Sequence, residues 1–173
     1  MKLPQDTPVP KQTPEASCTA ADATASPAVW TVHCDGSATP NPGRMGLGAA
    51  FNAPDGERHT LSHIAEGRGC NNEAELRAVM AALVWLQQRG AMALVLYSDN
   101  SVVVAQLTGT VAGPVTSFLR LAALFEETRQ LLRGFESAHV VWLPQHRNGD
   151  ADALARAALG LPPRPAARPR RQR

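Results

Sequence analysis

Lysine is nearly missing from this chain: Lys2 and Lys11 stand close to the start, and none falls between residues 30 and 160. That central stretch carries ten Arg against twelve Asp and Glu, a balance of −2, while residues 1–29 stand at −1. Residues 161–173 hold five Arg and no acid, so the formal net charge of +2 comes from a basic C-terminal tail. Such a tail either holds a polyanion through phosphate contacts, without reading sequence, or is a solubilising flexible end. Cysteine is scarce as well. Cys18, Cys34 and Cys70 are an odd number without zinc-knuckle spacing, which excludes a disulfide framework or a Cys/His metal cluster and fits reduced thiols in a cytoplasm. No run of 18 or more apolar residues exists, and the first residues lack the apolar stretch of a signal peptide. A soluble, cytoplasmic protein without a membrane partner is expected.

What is present is enough apolar residue for a core, 44% of 173 residues, in a length suited to one domain. Residues 1–28 are rich in Pro, Thr, Ala and Ser and read as a disordered leader, and residues 161–173 repeat Pro and Arg too often for a helix. Residues 29–160 are left as one globular domain without internal repeats.

Within it, Val29–Cys34 alternates at period two as a strand, closed by Asp35-Gly36-Ser37. Strands are expected at Gly46–Asn52 and Arg58–Ala65 around the turn Pro54-Asp55-Gly56, which makes an antiparallel meander. Leu76, Val79, Met80, Leu83, Val84 and Leu86 then recur at helical spacing between Asn72 and Arg89, stopped by Gly90. Ala93–Tyr97 reads as a buried strand ending at Ser98-Asp99-Asn100. Helices are expected at 101–107 and 115–133, a strand at Val140–Leu143, and a last helix opening at Asn148. The order predicts a mixed five-stranded α/β sheet, three antiparallel strands followed by two parallel ones joined by helical crossovers.

Four acids fall at element ends: Asp35 and Asp99 after strands, Glu75 and Asp152 in first turns of helices. The carboxyl ends of strands in open α/β sheets are where ligand crevices form. Clustered carboxylates raise each other's pKa unless cations neutralise them, and hard oxygen ligands suit Mg²⁺ or Mn²⁺. Two such ions roughly 4 Å apart can activate a water and stabilise the leaving oxygen in phosphodiester cleavage. Each acid also has an ordinary reading. Asn72 and Glu75 could form a capping box, Asp99 could cap the next helix, Asp35-Gly36-Ser37 could be a turn, and Asp152 could complement a helix dipole. Spacing alone does not separate these readings.

Taken together, the segments resemble the ribonuclease H family. The resemblance rests on Asp35-Gly36-Ser37 with Asn41-Pro42-Gly43 and Gly46-Leu47-Gly48-Ala49, and on Asn71-Asn72-Glu73-Ala74-Glu75-Leu76 opening a helix. It continues in Ser98-Asp99-Asn100-Ser101-Val102 and in Asn148-Gly149-Asp150-Ala151-Asp152-Ala153-Leu154-Ala155. The resemblance implies a ribonuclease H-like fold of the ribonuclease HI type, with Asp35, Glu75, Asp99 and Asp152 as catalytic metal ligands. Glu75 rather than Glu73, and Asp152 rather than Asp150, match the motifs.

The implied activity is sequence-nonspecific, two-metal endonucleolytic hydrolysis of the RNA strand of RNA–DNA hybrids, needing two Mg²⁺ or Mn²⁺ ions and no small-molecule cofactor, by a monomer. The alternative is a ribonuclease H-fold module that binds nucleic acid without cutting. Asn71 and Asn72 match residues that reach the minor groove of the hybrid, and Gly36 and Ser37 match residues that supply backbone and hydroxyl near the RNA strand. Asn41, Arg68 and Cys70 match a pocket for a DNA-strand phosphate, with Cys70 in place of Thr. Gly113–Gly134 lacks the Trp and Lys of the basic insertion many bacterial members carry, so the chain resembles the form without it, and the Arg-rich tail is a candidate substitute. His146 stands near where many members carry an auxiliary His, in a shorter loop.

Overall fold

The computed structural model describes residues 28–110 and 121–165. Five strands form one sheet: β1 (Val29–Thr39), β2 (Gly43–Asn52), β3 (Arg58–Gly69), β4 (Ala93–Ser98) and β5 (Ser137–Trp142). Four α-helices are described: α1 (Asn71–Gln87), α2 (Ser101–Thr108), α3 (Ala122–Arg133) and α4 (Gly149–Ala158), the last preceded by a 3-10 turn at Gln145–Arg147. Spatial order is β3-β2-β1-β4-β5. The β1/β2 and β2/β3 pairs are antiparallel, and β1/β4 and β4/β5 are parallel, giving the mixed sheet the sequence predicts.

β1, β2 and β3 are longer than their hydrophobic alternation indicates, and this changes the place of Asp35. Instead of closing a strand it sits inside β1, paired with Gly48 of β2. Ladder hydrogen bonds to β2 carry β1 on to Thr39, through Asp-Gly-Ser, which local composition marks as a turn. α1 opens one residue earlier than expected. Cys70 is its N-cap residue and makes no side-chain cap, so Asn72 caps nothing and Glu75 lies past the first turn. The expected helix at 115–133 is described from Ala122; residues 111–120 lie outside the described residues.

The core lies between the sheet and α1. Val32, Cys34, Met45, Leu47, Ala49 and Phe51 pack against Leu76, Val79, Leu83 and Leu86 of the helix, all fully or almost fully buried. These strand residues alternate with Asp35, Gly46, Gly48 and Ala50, which face the other side, where α4 packs. Glycine permits that approach. A Cβ on Gly48 would collide with the Ala151 carbonyl oxygen and the Ala155 amide, and one on Gly36 with the α1 backbone at Ala74 and Glu75. Among the described residues no helix is long and apolar enough to cross a membrane.

Gly48→Ala is therefore expected to push α4 off the sheet and cost about 1–3 kcal/mol in chemical denaturation. Gly149→Ala, where an added Cβ meets nothing within 4 Å, is expected to stay within about 0.5 kcal/mol of the parent.

Candidate active site

β1 and β4 run together only as far as His33↔Tyr97. Past that pair β4 ends at Ser98, whereas β1 continues beside β2. The sheet opens there, at the carboxyl end of its parallel pair, and side chains from both of its faces can meet. Asp35 and Asp99 lie at this opening, and the contact of α1 with Gly36 lowers Glu75 onto it. Each of these three carboxylates offers an oxygen within 4.8 Å of the other two. Asp152, the fourth residue of α4, arrives from the other face, close enough to act electrostatically on Asp35. It is not within the tight group of three. Its Oδ1 lies 2.9 Å from Nε of Arg164, a charge contact without hydrogen-bond alignment. Asp150 turns outward to an exposed ion pair with Arg58 at 2.9 Å, and Glu73 pairs with Arg77 at 3.0 Å.

Asn148 belongs to this centre in a way that its motif position alone does not reveal. It is 1% exposed. Its Nδ2 donates to the Cys34 carbonyl at 2.9 Å and to Asp99 Oδ1 at 3.0 Å, tying the start of α4 to β1 and orienting Asp99. Trp142 Nε1 donates to the Asp99 carbonyl at 3.0 Å, and Asn100, not Asp99, caps α2 through Val102 and Val103.

The residues expected to meet substrate lie on β1, β3, the β1–β2 turn and the head of α1. Gly36 and Ser37 are buried in β1. Asn71 Oδ1 accepts from Ala38 N at 2.8 Å, and Asn41 Oδ1 accepts from Asn71 N at 3.1 Å, which fastens the β1–β2 turn to the head of α1. Asn72 Oδ1 accepts from Asn100 Nδ2 at 2.9 Å. Arg68 is exposed on β3, across from Arg44. His146 is exposed in the 3-10 turn and shares with Asp152 and Arg164 a groove of about 380 Å³.

Burial, then the negative charge of Asp99, raises the Asp35 carboxyl to about 7, against the lowering effects of its hydrogen bond with Glu75 and the charge of Arg164. Burial and then Asp35 push Glu75 well above the usual carboxylate range. Asp35 Oδ2, Glu75 Oε2 and Asp152 Oδ1 are buried with no hydrogen-bond donor. Buried acceptors left in this state cost free energy, and an all-oxygen donor set of acids fits a hard divalent cation.

Fold and centre together define a mixed α/β protein with a carboxylate cluster suited to such a cation. A family model described as reverse transcriptase-like matches residues 33–158. Ribonuclease HI of Halobacterium salinarum is 34% identical over 127 residues, 72% of this chain and 61% of that protein. A crystal structure of ribonuclease H1 from the same archaeon superposes with a TM-score of 0.69 at 32% identity, covering 76% of this chain and 98% of that one. A Mycobacterium tuberculosis protein named as bifunctional is 31% identical over 129 residues, 74% of this chain but only 35% of its own length. A ribonuclease H1 solved in complex with an RNA/DNA hybrid gives a TM-score of 0.67 at 26% identity, covering 76% of this chain and 96% of that one. This chain belongs to the ribonuclease H family.

The raised Asp35 has a consequence for stability. With its folded pKa near 7 and its ordinary value 3.8, the folded state holds a proton that the unfolded state has lost between those pH values, so stability falls as pH rises through that window. In chelator, the protein is expected to lose a few kcal/mol between about pH 4 and 7 through this group. Urea melts across that range should show a flatter profile for Asp35→Asn, and added Mn²⁺ should recover stability most at the high-pH end.

Proposed function

We propose that this chain is a divalent-metal-dependent endoribonuclease that hydrolyses the RNA strand of RNA–DNA hybrids without sequence specificity. The observation that carries this reading is the set of buried carboxylate oxygens lacking any donor, gathered where the parallel strands part, in a chain of this family. Asp35, Glu75, Asp99 and Asp152 would hold Mg²⁺ or Mn²⁺, two ions by our reading. The metal supplies Lewis-acid polarisation of the phosphodiester and acidification of the attacking water. Asn148 keeps Asp99 turned to the centre through its 3.0 Å bond, and α1 and α4 pack closely on Gly36 and Gly48 beside it. Cleavage leaves 5′-phosphate and 3′-hydroxyl ends.

The two asparagines account for tolerance of any base. The Asn71 and Asn72 side-chain oxygens are already occupied, by Ala38 N and Asn100 Nδ2, so each has its Nδ2 left to donate. Minor-groove edges of every base pair carry acceptors, and the 2′-hydroxyls that distinguish RNA line the same shallow groove. Gly36 and Ser37 would face the RNA strand beside the cut, and Asn41 and Arg68 a phosphate of the DNA strand. His146, exposed in the groove it shares with Asp152, would assist product departure.

The test is cleavage of labelled RNA–DNA hybrid, double-stranded RNA and double-stranded DNA in Mg²⁺, Mn²⁺ or chelator. Cutting of the hybrid alone, and only with metal, is expected, with Asp35→Asn and Asp99→Asn each slower by on the order of a thousandfold or more while still folded. Full activity in either pure variant refutes the assignment, and hybrid binding without cleavage in any metal would make the chain a binding module.

A further inference from the structure

We propose that Arg164 is an internal competitor for the cation at the acidic centre, a tethered positive charge that the metal must displace from Asp152. This rests on the metal-centre reading above. The described residues after α4, up to residue 165, turn back towards the helix. Leu161 N donates to the Arg156 carbonyl at 3.0 Å, and Arg156 Nε donates to the Pro162 carbonyl at 2.8 Å. Proline at 162, 163 and 165 restricts the backbone of the returning segment. The turn delivers Arg164 Nε to 2.9 Å from Asp152 Oδ1, with the acid's side chain 10% exposed and the arginine's 49%. The same charge favours the ionised form of Asp35.

A guanidinium is suited to this task. It keeps its proton at any ordinary pH, so it neutralises the acids without needing to titrate. It is also a replaceable partner here. Its half-exposed position weakens the attraction by screening, and Asp152 Oδ1 still lacks an aligned donor, so the contact does not satisfy the oxygen that a metal would. Nothing places the arginine among Asp35, Glu75 and Asp99, whose oxygens stand within 4.8 Å of each other and remain available to a small ion. Arg164 shares with Asp152, Gln145 and His146 a groove of about 380 Å³, so the contact stands beside open space. Arg164 therefore lowers the affinity for the cation and relieves part of the carboxylate repulsion while the cation is away.

Calorimetric titration of MnCl₂ into the full chain, without nucleic acid, tests this. Arg164→Gln is expected to tighten the Mn²⁺ Kd about twofold to fivefold, with Arg164→Lys in between, by removing a competitor of the strength of a half-exposed ion pair. In chelator Arg164→Gln should melt below the parent, and Mn²⁺ should raise its Tm by more. Unchanged or weaker Mn²⁺ binding in Arg164→Gln overturns the proposal. The parent and Asp35→Asn distinguish the two failures: Mn²⁺ uptake by the parent that Asp35→Asn loses keeps the metal centre standing when the Arg164 effect is absent, whereas no uptake by the parent removes both.

Discussion

At Gly36 the backbone of α1 rests directly on β1, in space that any Cβ would fill, and the same closeness recurs on the opposite face where α4 lies on Gly46 and Gly48. These two approaches clamp β1 and β2 between helices, and they do so next to the point where β4 ends. The geometry leaves one place where an acid on a strand, an acid on a helix above and an acid on a helix below can converge. Were α1 held further away by a side chain at residue 36, Glu75 would ride off Asp35, and the group of three oxygens within 4.8 Å would open.

Convergence of this kind works against stability. Asp35 is buried and Glu75 half-buried, their negative charges and that of Asp99 act against one another, and each of the two carries a buried oxygen with no donor. A fold optimised only for its own stability would place apolar residues here, so the cost marks the location of function. Part of it is offset within the chain. Asn148 donates to Asp99 from a fully buried position, and Arg164 brings a positive charge to Asp152. The remainder is available to a cation.

The sequence made some of this legible and concealed the rest for identifiable reasons. The 3.6-residue spacing from Leu76 to Leu86 and the apolar run of β4 reveal their elements because burial dictates them. The position of Asp35 within β1 is hidden, because pairing with β2 and not local propensity carries the strand through Asp-Gly-Ser. Asp150 and Asp152 differ by about 200° around a helix, so only one can face inward, yet choosing between them took the motif. The outward ion pair of Asp150 with Arg58 and the inward place of Asp152 agree with that choice. Arg164 was illegible. Its segment has the composition of a flexible tail, and its contact depends on a backbone return to Arg156 that no composition encodes.

The two asparagines at the head of α1 and the acidic centre are joined by short covalent and hydrogen-bonded links. Asn72 bonds Asn100, which follows Asp99 in the chain and caps α2; Asn71 bonds Ala38, which follows Gly36 and Ser37 in β1. The amides that would meet the minor groove are thus set by the backbone that sets Asp35 and Asp99. A displacement of Asn71 or Asn72 would be felt at Asp35 and Asp99, which lie three residues and one residue from the groups these side chains bond. On the proposed function, register between a bound duplex and the scissile phosphate would follow from these rigid local connections, without any base having to be recognised.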